Sequence, residues 1–335
     1  MINNEINNEK AMLFSGIGRR PTLEIIVPLY NESEMVDILF ERLREVFSDK
    51  NLECHGIQSV QYIIVDDGST DLTASKVTSW IDKGLPINLY RLSRNFGHQN
   101  ALCAGLDRAT SDIIAIIDGD LQDPPEVILE MVAKWREGYD VVRGRRLRRK
   151  EHFIKRWCYW SFYRLVALLS EINMPLDSGD FCLIDRKVLA ALKIMPERLR
   201  FLRGLRAWVG FRQVDLSYER PLRYAGQTKY PWSKLYRLAT DGIASMSIRP
   251  LKLAQVFSFS FFVLCLILSI TLIFNYSSIS PAWLLCYILI LGSSAVNTLC
   301  LYILGAYIGR TYLEVKQRPS YILMEIIEQK KGDMQ

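Results

Sequence analysis

Asp118-Gly119-Asp120-Leu121-Gln122 sets two carboxylates two positions apart, with an amide oxygen two further on, directly after the apolar run 113–117. Oxygen donors of this kind suit a hard divalent cation, Mg²⁺ or Mn²⁺, which completes its shell with water and substrate phosphates. An EF-hand calcium loop is excluded, because it needs Gly at its sixth position and Glu at its twelfth, where this chain has Asp123 and Leu129. The plain alternative is an acidic turn with Pro124-Pro125 starting the next helix. A cation held by Asp118, Asp120 and Gln122 would bridge the two phosphates of a nucleoside diphosphate and take up charge as it leaves.

Other candidates stand at similar places. Pro28-Leu29-Tyr30-Asn31-Glu32 follows the first apolar run, and neither Gly-x-Gly-x-x-Gly nor Gly-x-x-x-x-Gly-Lys occurs there, so the dinucleotide fingerprint and the P-loop are absent. Tyr30 instead offers an aromatic face to a base, and Glu32 a carboxylate for base-edge or ribose hydrogen bonds. Asp66-Asp67-Gly68-Ser69-Thr70 and Arg94-Asn95 end the next two runs. Asp67, Ser69 and Asp71 read equally well as ordinary caps and turns. In the cluster 220–230, Lys229 is a point charge and Arg223 a bidentate donor for a diphosphate. Asp177-Ser178-Gly179-Asp180-Phe181 reads as a polar turn, one of whose carboxylates could orient or deprotonate an acceptor.

The elements that position these residues alternate. Short apolar runs at 23–29, 62–65, 87–92 and 113–117 are each followed by a polar turn and a segment of helical periodicity, the last from Pro125 to Arg136. This predicts an α/β fold with a mostly parallel sheet covered by helices on both faces. Ligands of such sheets sit outside the carboxyl ends of the strands, so Glu32, Asp66, Asp67, Arg94, Asn95, Asp118 and Asp120 are expected in one crevice.

The last third of the chain is different. No Asp, Glu, Lys or Arg occurs from Leu253 to Gly309, a stretch broken near its middle by the turn-forming residues 275–281. A bilayer crossing needs ~20 apolar residues, so two spans at about 253–274 and 282–309 are expected. Arg249 and Lys252 flank one end and Arg310, Lys316 and Arg318 the other, which puts both termini in the cytoplasm. Residues 1–22 lack the apolar core of a secretory signal. The expected domains are a polar tail 1–22, a catalytic unit 23–230, an amphipathic juxtamembrane segment 231–250, a membrane unit 251–310 and a cytosolic tail 311–335.

Residues 143–156, with Arg143, Arg145, Arg146, Arg149 and Arg156, run into the aromatic, leucine-rich stretch 157–169 and read as an interfacial amphipathic helix drawn to anionic lipid heads. Nucleic-acid binding ranks far below, since no helix-turn-helix, zinc or RNA-recognition signature is present. Seven scattered cysteines, without a Cys-x-x-Cys pair, read as buried small apolar residues of a reducing compartment.

With Val27-Pro28-Leu29-Tyr30-Asn31-Glu32, Val65-Asp66-Asp67-Gly68-Ser69, Ser93-Arg94-Asn95-Phe96-Gly97-His98-Gln99, Asp118 to Glu126 and Gly226-Gln227-Thr228-Lys229-Tyr230 in this order, the chain resembles the polyprenyl-phosphate glycosyltransferases, the branch of inverting glycosyltransferases that includes dolichol-phosphate mannose synthase. Within it, Ser178-Gly179-Asp180-Phe181 and Thr228-Lys229-Tyr230-Pro231 are most similar to the bacterial bactoprenol (undecaprenyl phosphate) glucosyltransferases. The resemblance implies a GT-A (Rossmann-like) fold at the inner, plasma membrane, UDP-glucose as donor, undecaprenyl phosphate as acceptor, and a homo-oligomer. It implies nucleotide contacts from Pro28, Tyr30, Glu32 and Asp66, metal and donor contacts from Asp118, Asp120 and Gln122, and phosphate contacts from Arg223 and Lys229. Asp118, Asp120, Asp180 and Lys229 are the expected catalytic set, and the arginines of 143–156 the expected acceptor-phosphate set. Mannosyl or aminoarabinosyl transfer, and a UDP-sugar-binding membrane protein without turnover, are the rival functions.

Overall fold

A computed structural model describes residues 20–146, 178–198, 200–219, 249–274 and 279–328. Arg149, Arg156, Arg223, Lys229, the N-terminal tail up to residue 19 and the juxtamembrane stretch 231–248 lie outside the described residues.

Strand β1 (Thr22–Leu29) is central, and every residue after Thr22 is buried. A parallel strand covered on both faces must be apolar almost throughout, which is why Leu23-Glu24-Ile25-Ile26-Val27-Pro28-Leu29 is legible as a strand without alternation. Glu24 is its one charge, and its carboxylate accepts from the backbone N–H groups of Thr110 (2.7 Å) and Ser111 (3.0 Å). Strands β2 (Ser59–Asp66), β3 (Ile87–Leu92) and β4 (Ile113–Ile116) extend the sheet in the order β4-β1-β2-β3, all parallel. Helices α1 (Val36–Val46), α2 (Asp49–Cys54), α3 (Thr73–Asp82), α4 (His98–Arg108) and α5 (Glu126–Arg136) occupy the connections.

Alternate residues of β1 face opposite layers. Ile25 and Val27 pack with Leu39, Val77 and Met131 of α1, α3 and α5, while Ile26 packs with Leu102 of α4. The parallel half therefore forms as the sequence predicts.

Beyond β4 the sheet becomes mixed. Strand β5 (Val141–Arg146) and β6 (Ser178–Asp185) pair antiparallel, β6 also pairs antiparallel with β4, and β7 (Gln213–Tyr218) closes the edge parallel to β5. Helices α6 (Arg186–Lys193) and α7 (Leu202–Trp208) cover β6 on the α4 face. Two expectations are corrected here. The first residues of the basic stretch, Arg143, Arg145 and Arg146, belong to a strand and not to an interfacial helix, because Val141 and Val142 are fully buried and the backbone is taken up by β6 and β7. The turn expected at 177–181 is, from Ser178 on, the start of β6, with Phe181 buried against Tyr218. Cys54 and Cys286 are exposed, contrary to the expected burial of every cysteine.

The C-terminal part holds helices α8 (Arg249–Phe274) and α9 (Ile279–Lys316). Counted over the described residues alone, no helix is long and apolar enough to cross a membrane. Within the segment 311–335, Leu323–Ile327 forms β8, which pairs antiparallel with β3, so that the sheet of the described residues has the eight-stranded order β7-β5-β6-β4-β1-β2-β3-β8.

Candidate active site

The carboxyl ends of β1, β2, β3 and β4 are laced together by side chains that the sequence put there. Past β1, Asn31 holds a left-handed backbone (φ 51°) that is uncommon outside glycine. It is held by reciprocal bonds, since its N–H donates to Ser69 Oγ (2.9 Å) and its Oδ1 accepts from Thr70 N–H (2.9 Å). Glu32 N–H donates to Thr73 Oγ1, and Ser33 N–H to Asp71 Oδ2. Tyr30, beside this turn, leaves 45% of its surface exposed, a ring face available for stacking.

Past β2, Asp66 is buried, and its carboxylate accepts from Ser69 N–H (3.0 Å) and Arg91 Nε (3.3 Å). Asp67 turns the other way and accepts from the N–H groups of Phe96 (2.7 Å) and Gly97 (3.0 Å), just before α4. Burial raises the Asp67 pKa although both N–H bonds pull against it. Gly68 is required twice over: its φ is +69°, and a Cβ would run into the backbone of Arg94. Asp67, Ser69 and Asp71 thus build the loop, the ordinary role that competed for them in the sequence.

Past β4, the loop of Asp118 lies against the end of β1, where a Cβ on Gly119 would collide with Leu29. Leu121 is forced to φ 51°, a strained conformation for a bulky side chain. The loop is braced from behind by Asp123, fully buried, whose carboxylate accepts from Tyr218 OH and Arg146 Nη2. Asp120 Oδ1 accepts from Gln122 N–H (3.1 Å). Asp118 is the exception: its Oδ1 is shut from solvent and has no hydrogen-bond partner. Part of the side chain, 32%, still reaches the crevice. Burial lifts its pKa to about 6; the charge of His98 opposes the rise, and Asp180, Asp123 and Asp120 add to it.

His98, the first residue of α4, stands between two carboxylates, with Nε2 3.7 Å from Asp118 Oδ1 and 3.4 Å from Asp180 Oδ2. Burial would lower its pKa, but the hydrogen bond to Asp180 and the charges of Asp118 and Asp180 prevail and raise it. Asp180 itself is saturated. Arg203 grips it through Nε to Oδ1 (2.9 Å) and Nη2 to Oδ2 (2.8 Å), Gln99 Nε2 donates to Oδ2 (3.2 Å), and Arg206 donates to its carbonyl (2.9 Å). Burial opposes its ionisation, yet the Arg203 charge and hydrogen bonds, followed by His98, hold its pKa well below the usual carboxylate range. Asp180 is an ionised anchor with both oxygens taken.

The structure brings Asp118 and Asp180 together around His98, sets Asp120 and Gln122 in the Asp118 loop, and ties the turn after β1, with Tyr30 and Glu32, to the Asp66–Thr73 loop. It keeps Arg143 apart: Arg143 donates to Asp215 (2.7 Å) and Gln213 (3.1 Å) across β7. Arg145 stays exposed in β5, and Arg146 turns to Asp123. Sequence reasoning gave no role to His98 and Gln99, although both stand in a quoted motif, and missed Arg203 and Arg206, whose link to Asp180 depends on α7 crossing β6.

Among the described residues, no group of three or more His, Cys, Asp or Glu could hold a metal ion. Asp118 and Asp120 are two carboxylates, which suits a cation that takes one or two from protein and the rest from phosphate and water. The orphaned Asp118 oxygen, costly to bury unsatisfied, fits such a cation.

Residues 24–193 match the family described as glycosyl transferase family 2. An uncharacterized glycosyltransferase of Synechocystis is 40% identical over 91% of this chain and 95% of its own length. Another, of Bacillus subtilis, is 40% identical over 92% and 95%. A prophage bactoprenol glucosyl transferase homolog of Escherichia coli is 36% identical over 91% of this chain and 99% of its own. On a crevice of this construction and likeness of this extent, the chain belongs to glycosyl transferase family 2.

Proposed function

We propose that this enzyme transfers glucose from UDP-glucose to undecaprenyl phosphate, with inversion, releasing UDP. The observation that carries the reading is the Asp118 carboxylate, half-buried, with one oxygen that accepts no hydrogen bond and with His98 between it and Asp180, in a chain 36% identical over 90% of its length to a bactoprenol glucosyl transferase of a Shigella phage. The donor nucleotide lies against Tyr30, Glu32 and the Asp66 loop, and its diphosphate reaches Asp118 and Asp120. A divalent cation, Mg²⁺ or Mn²⁺, bound there would offset the charge of the departing diphosphate. Lys229 and Arg223 are proposed to close on the same phosphates, and Arg145, Arg149 and Arg156 to meet the acceptor.

The nucleophile is an oxygen of the lipid phosphate. A phosphate monoester has its second pKa near ~6 and is largely dianionic at neutral pH, so no strong general base is needed. This agrees with Asp180, whose two oxygens are already engaged: it orients Arg203, Gln99 and His98 and does not abstract a proton. What the protein contributes is position and charge compensation for two anionic partners.

The lipid acceptor requires the bilayer. Helix α8 has 26 residues and α9 has 38, and no charged side chain occurs from Leu253 to Gly309. At 1.5 Å per residue these helices measure roughly 39 and 57 Å, against a hydrocarbon core of ~30 Å. We propose that both cross, with the last turns of α9 standing in the cytoplasm. In support, Glu314 near its end accepts from the backbone N–H of Arg198 (3.0 and 3.2 Å) in the catalytic unit.

Full-length protein in detergent, given undecaprenyl phosphate and a panel of radiolabelled UDP- and GDP-sugars, tests the proposal. Glucosyl transfer from UDP-glucose alone is the expected result. Transfer of mannose or aminoarabinose would replace the donor, and nucleotide binding without any transfer would favour a binding protein.

A further inference from the structure

Three charged residues stand abreast across three strands. Asp66 on β2 is in register with Arg91 on β3, and Arg91 with Glu325 on β8. Arg91 spans the row: its Nε lies 3.3 Å from Asp66 Oδ2 and its Nη1 2.6 Å from Glu325 Oε2. The Asp66 side chain is 1% exposed, and among the described residues Arg91 is the cation paired with it. Its other oxygen fixes Ser69 N–H, and Ser69 in turn fixes the Asn31 backbone. A chain of contacts thus leads from the last strand to the two turns that flank Tyr30.

Strand β8 is itself an extension of the long helix α9. It is held to the catalytic unit by Ser93 N–H to the Ile322 carbonyl (2.9 Å), Tyr321 OH to Asp107 (3.0 Å) and Tyr90 OH to Glu328 (2.8 Å). Those bonds dock the strand without touching the Asp66 row.

We propose that β8 sets the donor pocket through Arg91, a positioning residue that Glu325 aims at Asp66, so that donor affinity depends on the docking of the segment that follows α9. This rests on the reading of the Asp66–Ser69 loop as the wall of the donor-nucleotide pocket. A charge-assisted bond stabilises about twice as well as a neutral one, and a bidentate-capable guanidinium cannot be replaced by a neutral amide without losing the geometry.

The test measures UDP affinity by calorimetry, and KM and kcat for UDP-glucose, on full-length protein in detergent. Arg91→Gln is expected to weaken UDP binding and raise KM by on the order of tenfold, with kcat changed by less than about twofold. Glu325→Gln should act in the same direction by about threefold, and Arg91→Lys should recover part of the loss. Tyr90→Phe, which removes the Glu328 bond and leaves the row intact, should leave UDP affinity unchanged. Unaltered UDP affinity in Arg91→Gln, with the melting temperature preserved, would overturn the coupling, as would a loss confined to kcat. Should Arg91→Gln fail to fold, Glu325→Gln decides, and unchanged affinity there overturns it equally. Wild-type protein that binds no UDP would instead bring down the donor-pocket reading and this inference with it.

Discussion

Asp67 and Asp118 are both acids just past the end of a buried parallel strand, and their surroundings are opposite. Asp67 accepts two backbone N–H groups from the next loop and is spent on holding Phe96 and Gly97. Asp118 has an oxygen that accepts no hydrogen bond, with His98 Nε2 3.7 Å away, and burial pushes its pKa up to about 6. The satisfied carboxylate, 3% exposed, builds its loop, and the other, with 32% of its side chain still open, keeps an oxygen without a hydrogen bond. Asp180 is a third case, both of its oxygens engaged by side chains and its pKa held well below the usual carboxylate range, first by Arg203.

The comparison can be broken most forcefully by removing charge at each acid in turn. Asp118→Asn should reduce glucosyl transfer by about 10³-fold, the scale of losing a main electrostatic contact to the leaving group, and leave the melting temperature equal or higher, since a buried charge has gone. Asp67→Ala should do the reverse in stability: two N–H groups lose their acceptor, and unfolding free energy should fall by about 2–3 kcal/mol in chemical denaturation. A stable Asp67→Ala, or an unstable Asp118→Asn, would erase the distinction.

The place of Asp118, Gly119 and Asp120 past a strand end was legible in the sequence because a strand of four apolar residues, Ile113 to Ile116, leads up to them, and the parallel strands announced themselves the same way. Other features were not. Arg203 reaches Asp180 only because α7 folds over β6, a contact 23 residues apart with no periodic signature. Strand β8 was hidden for a different reason: Leu323-Met324-Glu325-Ile326-Ile327 follows a long helix and alternates poorly, and its partner β3 lies more than 200 residues earlier. The basic stretch misled because its arginine count outweighed Val141 and Val142, whose burial decides the backbone.

A smaller effect is expected from Asp180→Asn. With the charge removed, Arg203 loses its anchor, and turnover should fall about 10–100-fold with the acid limb of the pH profile, where a general base would show, unchanged. A large change in that profile would restore Asp180 as a base.

The pH dependence sharpens the same contrast. A carboxyl whose folded pKa is raised to about 6 is protonated below that value, so transfer should decline as pH falls from 7 to 5. In stability the sign is opposite: the ionised form is disfavoured by folding, so this group adds stability as pH falls through 6 toward its unfolded value near ~4. Divalent cations should therefore raise the melting temperature more at pH 7 than at pH 5. Equal stabilisation at both would argue against Asp118 as the ligand.

The least effect is predicted for Arg143→Ala, which breaks the pair with Asp215 at the sheet edge. Stability should drop by no more than about 1 kcal/mol, and transfer should stay within about twofold. A tenfold loss of transfer would put Arg143 back at the acceptor.

The Asp118 oxygen that accepts no hydrogen bond is proposed to take a cation and, through it, the diphosphate. Calorimetric titration of UDP into full-length wild type and Asp118→Asn, each with and without Mn²⁺, tests this most directly. Wild type is predicted to bind UDP tightly only with Mn²⁺, and the variant to lose that dependence while melting at the wild-type temperature or above. Mn²⁺-dependent UDP binding that survives in the variant would contradict the account.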